Sequence, residues 1–419
     1  MPRTEGLAAR RAALSILDAV LRRGRTLDSA ATGAKGVSGS DHGLAVAIAG
    51  EVLRRIPDLD ALIDSATKHP LPDDSKARMV LRMALAQKIA LDTPDHALVA
   101  TALPLVDGGP RKLVHGVLGT LLRRGMPRLG TPHLPPKVEQ RWAEAWGEPV
   151  VEAARRQIAT RPPLDLTFKS DAAAQAFAKG QGGLSLGTNN VRLRDGGLVT
   201  ELAGFTSGDW WVQDFAASLP VRLVSVNAKR VLDLCSAPGG KAMQLAAAGH
   251  QVAALDQSEA RLKRLRENLD RTGLAANLVC ADALTWQPEE KYGAILLDAP
   301  CSATGTFRRH PEVLHRAGPR IIRESADLQA KLLARAAEWL GVGGALVYSV
   351  CSLEANEGEA VLDSFLAGNP DFRIDPPQIG ELPDFIPISP EGWVRILPGL
   401  LESEGGLDGF FIARLVRGA

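Results

Sequence analysis

Val231-Leu232-Asp233-Leu234-Cys235-Ser236-Ala237-Pro238-Gly239-Gly240-Lys241 reads as a buried strand, a turn of small residues with paired glycines, and the start of a helix near Ala242. The glycines let the backbone approach a ligand closely, and the first helical turn offers free amide donors. Outward from this stretch the pattern repeats as strand, loop and helix. Strands are expected at Gln251–Leu255, Ala276–Cys280, Ala294–Leu297 and Ala345–Tyr348, with a late hairpin from Arg395-Ile396-Leu397 and Phe410–Leu415. Such alternation predicts an α/β, Rossmann-like, doubly wound and mainly parallel sheet, whose ligands bind beyond the carboxyl ends of the strands.

The loop spacing is neither that of a phosphate-binding P-loop nor G-x-G-x-x-G, which disfavours an ATPase or a nicotinamide enzyme. Asp256 ends the second strand, at the interval where a carboxylate holds ribose hydroxyls in related sites, and Asp282 follows the third, in reach of an adenine edge. One such Asp reads most simply as a helix N-cap. Several after successive strands, facing one glycine loop, fit a nucleoside-bearing cofactor without required phosphates, S-adenosylmethionine above all. Cys235 and Cys280 read as packing residues beside it.

Two of the four cysteines stand where reactive groups are expected. Cys301 lies in Leu297-Asp298-Ala299-Pro300-Cys301-Ser302 and Cys351 in Tyr348-Ser349-Val350-Cys351-Ser352, each just past a strand. A lone cysteine is more often a small buried hydrophobe. A repeated Cys-Ser unit after two strands of one sheet points instead to covalent chemistry, one thiol attacking while the other assists release.

The chain of 419 residues is too long for one ordinary core and predicts two or three domains. Residues 1–130 read as an all-helical bundle, 131–225 as linker helices and a small α+β (RRM-like) subdomain, and 226–419 as the α/β domain. In the front, helices are expected around Ala8–Leu21, Leu44–Ile56, Leu59–Ala66, Met79–Ala90, His96–Val106 and Leu113–Leu122, with 33–43 a loop. Residues 1–130 carry 19 Lys and Arg against 13 Asp and Glu, whereas the remainder carries 30 against 35. A basic front beside a mildly acidic body suggests a polyanionic partner. The start Met1-Pro2-Arg3-Thr4-Glu5, the lack of a spanning apolar run and the lack of Cys-x-x-Cys spacing predict a cytoplasmic protein, with no membrane segment, disulfide framework or metal site.

Two resemblances add to this reading. Arg10-Arg11-Ala12-Ala13-Leu14, Leu59-Asp60-Ala61-Leu62-Ile63, Val80-Leu81-Arg82-Met83-Ala84 and Gly116-Val117-Leu118 resemble the NusB-like RNA-binding domain. The loop 235–241, Asp298–Thr306, Arg309-His310-Pro311, Tyr348–Ser352 and Asp408-Gly409-Phe410-Phe411 resemble the NOL1/NOP2/Sun family of RNA (cytosine-5)-methyltransferases, over about residues 140–419. With the NusB-like front, the resemblance is to the RsmB (Sun) type, which implies action on 16S ribosomal RNA; a monomer is expected. It further implies Cys351 as the nucleophile on cytosine carbon 6, Cys301 in deprotonation and release, Asp298 on the base edge, and Lys241 supplying positive potential. S-adenosylmethionine is then expected on Cys235, Ser236, Ala237, Pro238, Gly239, Gly240, Lys241, Asp256, Arg261, Asp282 and Asp298.

Three rivals stay open. Methylation of an exocyclic nitrogen would present Asn/Asp-Pro-Pro-Tyr where this chain has Asp298-Ala299-Pro300-Cys301. A non-catalytic RNA-binding factor would need neither the loop nor the cysteines. The same chemistry on transfer RNA or large-subunit RNA is opposed only by the helical front.

Overall fold

In the computed structural model, residues 6–34, 36–125, 127, 129–225 and 227–418 are described. They fold into two compact units, residues 1–160 with 307–316, and residues 161–306 with 317–419. Met1–Glu5, on which the reading of the chain start rests, and Val226, at the expected domain boundary, lie outside the described residues.

The first unit is helical: α1 (Leu7–Leu21), α2 (Leu27–Thr32), α3 (Gly39–Ser65), α4 (Lys76–Leu91), α5 (Asp95–Ala102), α6 (Gly108–Arg124), α7 (Pro136–Trp146) and α8 (Glu148–Ala159). Its core gathers Ile16, Leu17, Ile48, Val52, Leu81, Leu85, Val114 and Leu118, apolar positions that recur at helical spacing. The structure departs from the expected helices in two places. The two segments over 44–66 are one 27-residue helix, with Pro57 inside it and irregular geometry at Arg55 (φ −127°, ψ 17°), because proline interrupts the hydrogen-bond ladder without ending the packed stripe. That helix begins at Gly39, inside the expected loop, and α2 precedes it, capped by Thr26, whose hydroxyl accepts from the Ser29 amide at 3.3 Å.

Residues 307–316 belong to this unit although they follow the Cys301 loop in sequence. They include the short helix α13 (Val313–Arg316). Phe307 packs edge-on against Trp142 with ring centroids 5.4 Å apart, and Arg54 donates to the Arg308 carbonyl at 3.0 Å. Glu312, with no exposed surface, accepts from the Leu27 amide at 2.9 Å, one of the donors a helix start leaves open. His315 Nε2 donates to the Leu53 carbonyl at 2.8 Å.

The second unit contains two sheets. Its antiparallel sheet runs β2 (Leu184–Gly187), β3 (Asn190–Leu193), β1 (Leu164–Phe168), β4 (Trp210–Val212), with α9 (Asp171–Gln181) between β1 and β2 in sequence and α10 (Phe215–Arg222) after β4. The large sheet and the helices between its strands follow in the order β5 (Arg230–Leu234), α11 (Gly240–Ala247), β6 (Gln251–Asp256), α12 (Glu259–Thr272), β7 (Asn277–Cys280), β8 (Tyr292–Asp298), α14 (Pro319–Trp339), β9 (Leu340–Val350), α15 (Glu359–Gly368), β10 (Phe372–Ile374), β11 (Val394–Ile396) and β12 (Phe410–Arg417). Its order is β10-β12-β9-β8-β5-β6-β7, with β11 on β12, so the expected late hairpin is β11–β12. Strands β5 to β9 pair in parallel and β12 antiparallel to β9.

Alternate side chains feed opposite faces of this sheet. Val231, Ala254, Leu296 and Val347 enter one core, while Leu232, Leu255, Ile295 and Leu346 enter the other. Burial on both sides explains why these strands read as nearly continuous apolar runs. From β5 the chain winds outward through β6 and β7, then restarts on the other side with β8 and β9. The crevice of such a sheet lies at this reversal, between the carboxyl ends of β5 and β8.

Candidate active site

The turn after β5 is made by backbone that few side chains tolerate. Cys235 takes φ 59° and Gly239 φ 109°, and a Cβ on Gly239 would fall 2.0 Å from Leu265 Cδ1. Asp256, at the end of β6, is 2% exposed and holds the turn from behind. Its Oδ2 accepts from the Ala237 amide at 3.2 Å and its Oδ1 from the Ser258 amide at 2.9 Å. Arg261 pairs with Asp256 at 3.3 Å and also donates to the Ala237 carbonyl. A cleft opens beside the turn, lined by Cys235, Asp256, Gln257, Arg261, Ala281, Asp282, Pro300 and Leu332 among others. The structure thus brings Cys235, Asp256, Arg261 and Asp282 to one cavity. Asp282 is exposed, with one oxygen accepting from the Leu284 amide at 2.9 Å. Cys280, expected to pack beside the cofactor, is exposed, its sulfur 3.9 Å from the Gln257 carbonyl oxygen.

Across the reversal, Asp298 ends β8. Lys241 Nζ lies 2.7 Å from Asp298 Oδ2 and 5.4 Å from the centre of the Phe410 ring, and Ser349 Oγ donates to Asp298 Oδ1 at 2.9 Å. This carboxylate is therefore fixed in orientation from two sides. Asp233 lies in the strand beneath with no exposed surface, and among the described residues neither of its oxygens has a hydrogen-bond partner. Burial, then the charge of Asp298, pushes its carboxyl well above the usual range, against the pull of Lys241. A buried acid with two open oxygens beneath a glycine turn is polar hydrogen-bonding capacity the fold leaves unused, which fits a site that receives a polar cofactor.

The two cysteines meet. Cys301 Sγ and Cys351 Sγ are 3.5 Å apart, within sulfur hydrogen-bond range. The neighbouring Cys351 sulfur, and after it burial, raises the Cys301 thiol well above its ordinary value, so Cys301 holds its proton firmly. Behind the sulfurs Gly305 donates to the Cys351 carbonyl at 3.0 Å, and Gly409 donates to the Gly305 carbonyl at 2.8 Å. A Cβ on Gly305 would sit 2.0 Å from the Gly409 oxygen, which accounts for glycine at both positions. All four cysteines are free, and among the described residues no group of three or more His, Cys, Asp or Glu could hold a metal ion.

Comparison with known proteins decides the family. The family model described as 16S rRNA methyltransferase RsmB/F matches residues 220–416, and the NusB family model matches residues 7–123. A ribosomal RNA small subunit methyltransferase B from Xanthomonas campestris pv. campestris is 34% identical, covering 98% of this chain and 98% of its own. The chain belongs to the RsmB/F methyltransferase family. Among solved structures, PH0851 covers 100% of this chain and 99% of its own with TM-score 0.77 at 20% identity, which shows the shared fold. A methyltransferase homolog protein from Pyrococcus horikoshii covers 72% of this chain and 98% of its own, with TM-score 0.56 at 27% identity.

The glycine turn, Asp298 and the two cysteines make the reversal of the sheet the candidate site of this RsmB/F methyltransferase. Sequence reasoning missed three of its polar residues. Asp233 carries no signal beyond a charge inside an apolar strand, and Ser349 is hidden in the strand that leads to Cys351. Glu357 accepts from the Ser302 amide at 2.7 Å and from the Ser302 and Ser352 hydroxyls, joining the residues that follow the two cysteines. Its only mark was an acid just before an apolar helix, where an N-terminal charge is ordinary.

Proposed function

We propose that this methyltransferase forms 5-methylcytosine in 16S ribosomal RNA through a covalent adduct, with S-adenosylmethionine held along the 235–241 turn, Asp256, Arg261 and Asp282. The contact between Cys301 and Cys351 carries the reading, because methylation at a ring or exocyclic nitrogen needs no thiol. When bound, the cofactor supplies an electrophilic methyl group. Carbon 5 of cytosine is too weak a nucleophile to take it directly. Cys351, as thiolate, adds to carbon 6, and the electron pair of the 5,6 double bond becomes available at carbon 5. Asp298, fixed by Lys241 and Ser349, faces the nitrogen 3 edge and relays a proton from the Lys241 ammonium to nitrogen 3 as the thiolate adds; the proton returns by the same path when the 5,6 bond reforms. Carbon 5, so activated, would accept the methyl group that the bound cofactor supplies, and would carry both that group and its hydrogen.

The second half needs a base and a leaving group. Cys301, 3.5 Å from Cys351, is placed for both roles. Formation of the Cys351 thioether removes the largest of the causes that hold the Cys301 proton, burial remaining, and Cys301, its proton passed to solvent, takes the carbon 5 hydrogen as a proton. The freed electron pair reforms the 5,6 bond and expels Cys351 as thiolate, which the Cys301 thiol again faces.

The NusB-like front, with its basic surplus, favours ribosomal RNA over other substrates of the same chemistry. The test is digestion of 16S RNA and mass spectrometry for 5-methylcytosine, in cells with and without this chain. A methyl group on a nitrogen, or unchanged 16S RNA, would refute the proposal.

A further inference from the structure

The two sulfurs sit at the ends of neighbouring parallel strands, and beyond the last ladder bonds nothing in a sheet fixes how far apart such ends stay. Strands are spaced about 4.8 Å apart, while the sulfurs are held at 3.5 Å. Behind them lies a closed set of polar groups with almost no exposed surface: Ser302, Thr304, Ser352 and Glu357. Glu357 Oε1 accepts from the Ser302 amide at 2.7 Å, and its Oε2 accepts from both serine hydroxyls. Thr304 Oγ1 lies 3.2 Å from Ser352 Oγ and accepts from the Leu353 amide at 3.0 Å. Glu357 is itself held, since Tyr348 donates its hydroxyl to the Glu357 carbonyl at 2.6 Å.

An ionised carboxylate is the side chain this arrangement requires. It only accepts, it has lone pairs for three donors, and such bonds are stronger than neutral ones. Glutamine would turn an amide donor toward hydroxyls that are already donating. Burial raises the Glu357 carboxyl while the two serine hydroxyls and the Ser302 amide oppose that rise.

We propose that Glu357 is a positioning residue that sets the spacing of Cys301 and Cys351, and with it the hand-over between attack and release. The proposal rests on the two-cysteine reading above. It touches neither RNA nor cofactor, so its loss should appear in kcat and leave both KM values alone.

The test uses the full chain and the folded variants Glu357→Gln, Glu357→Asp, Ser302→Ala and Ser352→Ala. Sulfur spacing is read without turnover, by the rate at which diamide converts the two thiols to a disulfide and is itself reduced to the hydrazine. Glu357→Gln should lower kcat by about tenfold or more, slow disulfide closure in parallel, and leave the KM for RNA and for S-adenosylmethionine unchanged. Glu357→Asp should recover part of both rates, and each serine variant should show a smaller loss. Wild-type kcat and wild-type closure in Glu357→Gln overturn the proposal. If that variant does not fold, wild-type closure in Ser352→Ala does so. A wild-type enzyme that yields 5-methylcytosine without a denaturant-stable adduct on 5-fluorocytosine RNA would instead overturn the covalent reading, while the closure rates still decide the role of Glu357.

Discussion

Two buried clusters, the α3–α4 seam of the helical unit and the site of the second unit, treat charge in opposite ways. In the helical unit, Arg78 and Arg82 of α4 are nearly inaccessible and fully matched: Arg78 meets Asp60 at 3.0 Å and Asp64 at 2.7 Å, and Arg82 grips both oxygens of Asp60 at 2.7 Å. In the catalytic unit, Asp233 has no partner among the described residues, Glu357 is met only by neutral donors, and Cys301 faces a second sulfur. Matched charges tie α3 to α4 and leave nothing over for chemistry. Unmatched ones cost free energy of desolvation and are found where protonation or nucleophilicity is being tuned. Substitutions should accordingly lower stability in the first cluster and activity in the second.

The largest expected effect tests the activity side. Cys351→Ala should abolish turnover and adduct alike, whereas Cys301→Ala should accumulate a protein–RNA adduct that survives denaturing electrophoresis, because attack persists and release does not. Equal turnover in the two variants would collapse the distinction between the sulfurs. Next, Asp298→Asn should reduce kcat by roughly 10²–10³-fold, the scale of losing one preorganised electrostatic contact, with the urea midpoint little changed. A large midpoint shift would move Asp298 to the structural side of the comparison.

Arg82→Ala probes the opposite side. Removing one partner of a buried pair should destabilise the helical unit by about 3 kcal/mol, read from urea unfolding, while the folded fraction keeps its adduct-forming rate. The smallest effect concerns Asp233 and pH. A carboxyl whose folded pKa is raised binds its proton in the native state over a range where the unfolded chain has lost it, so its contribution declines as pH rises from the ordinary value of 3.8 toward the raised one. Asp233→Asn should flatten that decline, and stability curves of the two proteins that run parallel across the range would remove Asp233 from the unmatched class.

How much was legible follows from the same contrast. The strands of the large sheet were readable because each apolar run stops at a polar turn, and the 235–241 turn because its glycines and small residues have few other uses. Lys241 and Asp298 stand 57 positions apart in sequence, so their pairing was not readable, nor were the parts played by Ser349 and Glu357, which exist only once burial brings donors to them. In the front, α2 was missed because six residues carry too little periodicity, although Thr26 followed by Asp28 in the first turn was a usable helix-start signal. The Arg309-His310-Pro311 stretch was grouped with the catalytic motifs it follows, yet its segment packs inside the helical unit. Proximity along the chain concealed the change of unit.

That segment bears on how the protein can be taken apart. A fragment ending at residue 160 has Trp142 without Phe307, the start of α2 without the Glu312 carboxylate, and the Leu53 carbonyl without the His315 ring. A protease that nicks the chain between 160 and 161 severs one covalent link and leaves this insertion seated. The helical front is therefore a two-piece assembly, and its faithful isolation calls for co-expression with a peptide spanning 307–316.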